Sequence, residues 1–396
     1  MNRTTLVGVL GLMACASALR AAEPTLTVKQ DDVWVMAGDS ITAGRKHTNF
    51  IEAFYRTRYP NLNLHFHNSG VRGNDTGGVL NRFDYDVAAW KPTIISIELG
   101  MNDTKFGDDP ARYVKGMRQL IGKIREIHAQ PVLISSSPMN DGSVMGDWKS
   151  DHCRSLDTYT VALKKLAEEE KVVMVDQYHP LVDLWGKNMR SAKPLLLGGD
   201  LIHPGSVGQY NMAAVILAGL NVDRDVSAAT LKADGTVVDA RRCKISAISV
   251  ANGKLAFTRL DDAGPWPIDP KCRTALELLP SMADLSQYLL TIPDLPVGRY
   301  RITINDKPAA VLTAAELAAG WNMATVFEGA LAERSAQILG LIEILQGDLN
   351  KEWRDASRKK DAARLAAAQK AIEACEKQVH AACQPVPLRF EVEKEK

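Results

Sequence analysis

The sequence has no strong imbalance of charge, and only its first residues contain a pronounced apolar run. Its 396 residues carry 48 Lys and Arg against 47 Asp and Glu, whereas nucleic-acid-binding proteins usually show a strong basic bias. Beyond the N-terminus no stretch approaches the roughly 20 apolar residues that span a bilayer. The chain also lacks a Cys-x-x-Cys pair, which a zinc ribbon would contain. The sequence therefore predicts neither a nucleic-acid partner nor a transmembrane span, and its 46% hydrophobic residues allow a sizeable core.

The first 22 residues differ in composition from the rest of the chain. Arg3 lies in a short polar head, residues 6–14 are apolar, and small residues follow, which is the layout of a bacterial secretory signal. The stretch Leu-Met-Ala before Cys15 also resembles a lipoprotein signal. We therefore predict a signal peptide at 1–22 and a secreted or periplasmic protein. A lipid anchor at Cys15 and a buried N-terminal helix are the alternatives.

Export would permit disulfides, but the number of cysteines after the signal is odd. These cysteines are Cys153, Cys243, Cys272, Cys375 and Cys383. The pairs closest in sequence are Cys243 with Cys272 and Cys375 with Cys383. Buried free thiols are the competing interpretation, and at least one cysteine has no partner within the chain.

Short apolar segments alternate with segments of helical period in the first half of the chain. We predict strands at 33–37, 62–68, 93–99, 131–137 and 172–176, and helices at 49–59, 110–129 and 155–170. This alternation is typical of an α/β fold with a parallel sheet that helices cover on both faces. In such sheets ligands bind beyond the carboxyl ends of the strands.

From about residue 225 the sequence pattern changes. An Asn252-Gly253 pair between β-like runs is typical of a hairpin turn. No proline occurs from Ala309 through Gln384, and the later part of this stretch is strongly helix-forming. We therefore predict an α/β domain at 23–225, a β-rich module at 226–329 and a helical C-terminal segment at 330–396.

Polar motifs follow several of the predicted strands. Ser40 comes directly after the first strand in GDSIT, Gly73 lies in NSGVRG after the second, and Asn102 lies in GMND after the third. Asp200 and His203 occur together in DLIHP before a further helix. Because the carboxyl ends of parallel strands meet at one edge of a sheet, these distant residues are expected to converge.

This set of residue types matches the needs of nucleophilic ester hydrolysis. A serine hydroxyl such as Ser40 becomes a good nucleophile when an imidazole, here His203, takes its proton. A carboxylate, here Asp200, then fixes the tautomer of the imidazole and stabilises its cation. The backbone N–H groups of Ser40 and Gly73 and the side-chain amide of Asn102 are candidate donors to the oxyanion.

Together, in this order and spacing, the four motifs resemble the SGNH/GDSL hydrolase family over about residues 33–220. The resemblance implies a flavodoxin-like three-layer α/β/α fold with a five-stranded parallel sheet, to which this chain adds a C-terminal β-rich and helical extension. It also implies a serine esterase that forms an acyl-enzyme and uses neither a metal nor another cofactor. Asp39 and Asp103, beside Ser40 and Asn102, are either supports for these residues or ordinary turn residues.

The substrate class is less determined than the chemistry. An export signal, an added β module and the absence of a long apolar segment favour a carbohydrate O-acetylesterase acting on a small ester or an acetylated carbohydrate. The alternatives are a lipid or thioester acylhydrolase of the lysophospholipase or arylesterase type, and a non-catalytic polysaccharide-binding protein on a hydrolase scaffold. A metallophosphoesterase would use Asp39, Asn102, Asp103 and His203, but the other histidines show no recognisable metal-ligand spacing, which disfavours this alternative. The sequence does not define an oligomeric state.

Two further residues have competing interpretations. His47 lies near Ser40 and is either a residue that touches substrate or part of a solvated loop, and the solvated loop is favoured. Trp266 in GPWPIDP is either a platform for a sugar ring or a side chain packed within a turn, and turn packing is favoured.

Overall fold

The computed structural model describes residues 25–139 and 151–395, apart from positions 194, 196 and 199. The predicted signal peptide at 1–22, with Cys15, lies outside the described residues. In the described part of the N-terminal half, five strands form a parallel sheet in the order β2-β1-β3-β4-β5. They are Val33–Gly38 (β1), His65–Gly70 (β2), Ile94–Glu98 (β3), Gln130–Ile134 (β4) and Val173–Val175 (β5). The predicted parallel sheet is confirmed.

Helices cover both faces of this sheet. Those of the described residues are Ser40–Ala43 (α1), Lys46–Arg58 (α2), Thr76–Arg82 (α3), Ala111–Glu126 (α4), Asp151–Glu170 (α5), Tyr178–Met189 (α6) and Ser206–Gly219 (α7). Side chains alternate between the faces of a strand, so Val35 joins the core formed with α3, α4 and α5. Trp34 joins the opposite core with α2 and α7. The result is the expected three-layer α/β/α arrangement.

In the described residues after position 224, the chain forms two further sheets. Their strands are Asp225–Leu231 (β6), Val237–Arg241 (β7), Cys243–Ala251 (β8), Lys254–Asp261 (β9), Gln287–Thr291 (β10), Arg299–Ile304 (β11), Lys307–Thr313 (β12), Trp321–Asn322 (β13) and Leu388–Lys394 (β14). One sheet has the order β13-β10-β6-β7 and the other β12-β11-β14-β9-β8. A β-rich extension is therefore present.

The helices of this extension are Arg273–Leu278 (α8), Ala314–Ala319 (α9), Gly329–Ile344 (α10), Asn350–Lys359 (α11) and Ala362–Cys383 (α12). The segment predicted as helical at 330–396 does not stay helical to its end, because β14 follows α12. Leu388, Phe390 and Val392 alternate with polar residues and are buried, which is the period of a strand. The C-terminal strand thus lies between β11 and β9, pairing with both.

The C-terminal helices close one edge of the parallel sheet. Between α10 and α11, the π-helical segment Leu345–Leu349 places Gln346 against the outer edge of β2. The side-chain oxygen of Gln346 accepts from the Asn68 N–H at 2.9 Å, and its amide donates to the Phe66 carbonyl at 2.7 Å. The Asn350 amide donates to the Asn68 carbonyl at 2.8 Å. Backbone groups that an edge strand would leave unpaired are therefore bonded by the extension.

The four cysteines whose side chains the structure describes are buried free thiols: Cys243, Cys272, Cys375 and Cys383. Neither of the two pairs closest in sequence forms a disulfide, so the free-thiol interpretation is correct for these residues. The side chain of Cys153 lies outside the described residues. Among the helices of the described residues, none has the length and apolar character needed to cross a bilayer.

Candidate active site

Ser40 is held at the end of β1 by a tight turn into α1. The Asp39 carboxylate caps this four-residue helix by accepting a hydrogen bond from the Ile41 N–H at 2.8 Å. A side chain at Gly38 would approach the Thr42 hydroxyl to within 2.0 Å and the Glu98 carbonyl to within 2.8 Å. The sequence Gly-Asp-Ser therefore sets the position of Ser40 through a close backbone approach and a cap.

Ser40, His203 and Asp200 form one hydrogen-bonded series. The Ser40 hydroxyl lies 2.9 Å from Nε2 of His203, and Nδ1 of His203 lies 2.8 Å from Oδ2 of Asp200. A carboxylate only accepts hydrogen bonds, so Asp200 favours the tautomer that carries its proton on Nδ1. The unprotonated Nε2 then accepts from the serine hydroxyl, which is the geometry needed to remove its proton. The convergence predicted for these three residues is observed.

Asp200 is ionised because the turn that carries it supplies several donors. Its Oδ1 accepts from the His203 backbone N–H at 2.7 Å and from the Ile202 N–H at 2.8 Å. These bonds and the His203 imidazole lower the pKa of Asp200 to about 2. The side chains of His203 and Asp200 are 45% and 58% exposed. The series is therefore reached directly from solvent.

Asn102 lies beside this series and connects it to the loop that contains Gly73. Its amide nitrogen donates to the Asn74 carbonyl at 2.9 Å and lies 3.4 Å from Oδ2 of Asp39. Lys105 donates to the Asn102 carbonyl oxygen at 2.7 Å and thereby fixes which way the amide faces. Gly73 occupies an exposed turn with a φ of 76°, which glycine adopts without strain. The structure thus brings the loops of Ser40, Gly73 and Asn102 together, and their role as oxyanion donors stays a prediction.

Asp39 and Asp103 are both buried beneath these loops. Asp103 accepts from the backbone N–H and the hydroxyl of Thr76 at 3.1 and 2.8 Å, which ties the Asn102 loop to the start of α3. Burial raises the pKa of Asp103 above its ordinary value. Burial, with the nearby Glu98 carboxylate, raises the pKa of Asp39 to about 7. Both side chains therefore hold the loops through hydrogen bonds, and neither lies on the surface as an ordinary turn residue would.

A buried histidine below the site was missed by the sequence interpretation. His47 lies in α2 and is 2% exposed, so its assignment to a solvated loop was wrong. Its Nε2 lies 2.8 Å from Glu98 and its Nδ1 lies 3.2 Å from Gln209. Burial alone would lower the pKa of His47, but the charge of Glu98 and the hydrogen bonds that the imidazole makes to Glu98 and Gln209 raise it. Gln209 also donates to the Pro204 carbonyl, next to His203. The sequence did contain a signal for this pair. Glu98 is a carboxylate at the end of an apolar strand, and a buried charge requires a partner such as His47.

Trp266 is buried in the core, where its indole N–H donates to the Phe50 carbonyl at 2.9 Å and its ring stacks on Tyr210 with centroids 4.6 Å apart. It does not form a surface platform for a sugar. Within the described part of the chain, no group of three or more His, Cys, Asp or Glu side chains is placed to hold a metal ion.

Comparison with known proteins agrees with this fold. Residues 36–210 match the model of the GDSL-like lipase/acylhydrolase family. An acetylxylan esterase of Geobacillus stearothermophilus is 24% identical over 182 residues, which cover 44% of this chain and 80% of that protein. The solved structure of a gut microbial diltiazem-metabolizing enzyme superposes with a TM-score of 0.81 at 21% identity, over 94% of this chain and 99% of the other. That likeness shows a shared fold, including the C-terminal extension.

The fold and the site together define a class of protein, the carboxylic ester hydrolases of the SGNH type. More particularly, residues 36–210 form a domain that matches the GDSL-like lipase/acylhydrolase family.

Proposed function

We propose that this esterase is an exported carbohydrate O-acetylesterase with Ser40 as its nucleophile. The observation that carries the proposal is the hydrogen-bonded series from Ser40 through His203 to Asp200, at 2.9 and 2.8 Å. These contacts join a hydroxyl, a base and a carboxylate from opposite ends of the domain. A purely binding protein has no need of them.

The reaction follows from the positions of these groups. Nε2 of His203 takes the Ser40 proton as the oxygen attacks the ester carbonyl, and Asp200 stabilises the resulting imidazolium. The negative tetrahedral oxygen is received by the backbone N–H groups of Ser40 and Gly73 and by the Asn102 amide. His203 then gives its proton to the departing alcohol oxygen, leaving an acyl-enzyme. A water molecule, deprotonated by His203, attacks the acyl carbon, and His203 returns that proton to the Ser40 oxygen as the acid departs.

Asn102 must redirect one N–H to serve the oxyanion. The contact of its amide nitrogen with Asp39 is long, at 3.4 Å, whereas the contact with Asn74 is 2.9 Å. The longer contact is the weaker hydrogen bond, so it is the one that gives way to substrate. Lys105 holds the amide oxygen at 2.7 Å and keeps the nitrogen turned toward the site. Lys105 is therefore a positioning residue.

The assignment of an acetylated carbohydrate is supported by two observations. The matched relative from Geobacillus stearothermophilus is described as an acetylxylan esterase. The side chains of His203 and Asp200 are about half exposed, so the bulky, polar alcohol part of a saccharide can approach without entering a tunnel. A long acyl chain would instead need an extended apolar site for its binding.

A comparison of ester substrates tests the proposal. Wild type is expected to release acetate from acetylated xylan and from 4-nitrophenyl acetate, and to be much slower on 4-nitrophenyl palmitate. Ser40→Ala is expected to lose at least about 10³-fold in kcat on both acetates, as a nucleophile variant should, while its melting temperature stays close to that of wild type. Preference for the palmitate would favour a lipid acylhydrolase, and an active Ser40→Ala would refute the mechanism.

Export is proposed from the pattern of residues 1–22. N-terminal sequencing of the protein recovered from its native cell should begin between Cys15 and Pro24, because the preceding residues have the layout of a removable signal. A lipid-modified Cys15 would indicate the anchored form. An intact Met1 would contradict export by this signal.

A further inference from the structure

A basic cavity of about 390 Å³ lies between the site edge of the parallel sheet and the C-terminal helices. Ala43 of α1, together with Gly70 and Val71 at the end of β2, forms one wall. Gly347 and α11 form the other. The cavity is therefore built jointly by the hydrolase domain and its extension.

Cationic side chains dominate the lining of this cavity. They are Arg45, Arg72, Arg82, Lys351, Arg354 and Arg358, and Asp355 is the acidic residue of the lining. A concave surface lined mostly by one sign of charge concentrates ions of the opposite sign. The lining therefore favours an anion.

The acidic groups in and around the lining do not neutralise its positive charge. Arg82 and Arg354 both pair with the single carboxylate of buried Asp86, which leaves an excess of one positive charge. The remaining pairs are exposed or partly exposed: Arg45 with Glu343 at 3.1 Å, and Arg358 with Asp355 at 3.4 Å. Six cations thus face three carboxylates, and the difference is three positive charges.

Arg72 and Lys351 supply most of the unpaired charge. Both are exposed, and the side chain of neither makes an ion pair or hydrogen bond with another described residue. The Nε of Arg45, which belongs to the same lining, is buried and has no hydrogen-bond partner among the described residues. A guanidinium presents paired donors that match the oxygens of a carboxylate, sulfate or phosphate. Tyr85 adds an aromatic ring to the same lining.

The position of the cavity connects it to the reacting ester. Ala43 is three residues after Ser40 in α1, a rise of about 4.5 Å along a helix axis. Arg72 directly precedes Gly73, the candidate oxyanion donor. The cavity therefore adjoins, along the chain, the residues that carry Ser40 and Gly73, although neither of these two lines it.

We propose that this cavity is a subsite for an anionic group on the alcohol part of the ester, such as the carboxylate of a uronic acid, a sulfate or a phosphate. The inference rests on the proposed function, since an acetyl group carries no charge and the anion must therefore belong to the sugar. Arg72 and Lys351 are its specificity-determining residues, and the C-terminal helices supply half of the subsite.

Matched sugar acetates test the subsite. The probes are acetylated methyl glucoside and its 6-carboxylate, 6-sulfate and 6-phosphate counterparts, with 4-nitrophenyl acetate as a neutral reference ester. Wild type is expected to show at least a tenfold higher kcat/KM for one anionic sugar than for the glucoside, equivalent to about 1.4 kcal/mol. The preferred anion identifies the natural group. Added salt should reduce the preference, since exposed cations are screened.

The double variant Arg72→Gln/Lys351→Gln should reduce this preference to about twofold or less. Lys244→Gln, an exposed lysine on β8, is the matched control and should retain the full preference. Equal kcat/KM for all four sugars in wild type, or an undiminished preference in the double variant, would overturn the subsite. Hydrolysis of 4-nitrophenyl acetate separates that result from failure of the esterase proposal, in which none of the esters would be hydrolysed.

Discussion

Replacing Gln346 by leucine tests whether the C-terminal helices are an integral part of the hydrolase core. The side chain is buried and joins two backbone groups of the edge strand β2, the Asn68 N–H and the Phe66 carbonyl. Its amide also donates to the Glu52 carboxylate at 2.7 Å. The Gln346 side-chain oxygen also accepts from the Asn350 amide at 3.2 Å. Leucine has a similar size and forms none of these bonds, so each of these four partners would lose its hydrogen bond to residue 346.

The expected magnitude follows from the groups that lose a partner. A buried polar group left without a hydrogen bond costs about 1–3 kcal/mol, so the two backbone groups together cost about 2–6 kcal/mol. Glu52 keeps its ion pair with Arg56 at 2.7 Å, which limits any further loss at the carboxylate. Gln346→Leu should therefore lower the free energy of unfolding by several kcal/mol.

Urea denaturation of the full chain measures this change. Gln337→Leu, an exposed glutamine in α10, is the matched control and should change the free energy of unfolding by no more than about 0.5 kcal/mol. The Gln346→Leu midpoint should fall with little change in the slope, since the surface exposed on unfolding is nearly the same. Equal midpoints for the two variants would refute the conclusion that these side-chain bonds stabilise the sheet edge.

Three further predictions concern the site. Asn102→Asp should lower kcat by at least about 10²–10³-fold because a carboxylate would face the oxyanion, and near wild-type turnover would remove Asn102 from that role. Gly70→Ala should cost about 1–3 kcal/mol in thermal or urea unfolding, since its Cβ would meet the Ala43 nitrogen at 2.2 Å; an unchanged stability would contradict this. Burial and Glu98 raise the pKa of Asp39 from 3.8 to about 7. The folded wild type therefore binds the Asp39 proton more tightly than the unfolded chain does. Its stability falls as the pH rises from 3.8 to about 7. Asp39→Asn should lack this loss, and parallel pH profiles of unfolding would refute it.

The parts of the site that sequence reasoning found are those attached to predicted strand ends. Ser40 and Asn102 follow apolar runs directly, so the rule for parallel sheets places them at one edge. Asp200 and His203 are three residues apart, and a single turn brings them into contact. Local patterns thus carried most of the information about the series from Ser40 to Asp200.

The parts that sequence reasoning did not find depend on contacts between distant segments. Gln346 and Asn68 are 278 residues apart, and no local pattern links a polar side chain in a helical segment to an edge strand. The pair of His47 and Glu98 likewise joins α2 to β3, across 51 residues of sequence. The alternating apolar residues of β14 are typical of a strand. They follow a long helix-forming segment, and the predicted helical region at 330–396 was extended over them.

Covalent labelling of Ser40 tests the central claim most directly. A fluorophosphonate should add one adduct per chain, found by peptide mass spectrometry on the peptide that contains Ser40, with loss of esterase activity in proportion to labelling. Ser40→Ala should stay unlabelled, and His203→Ala should be labelled far more slowly because the hydroxyl then lacks its base. An adduct on another serine that abolishes activity, or full activity in a chain fully labelled at Ser40, would contradict the account.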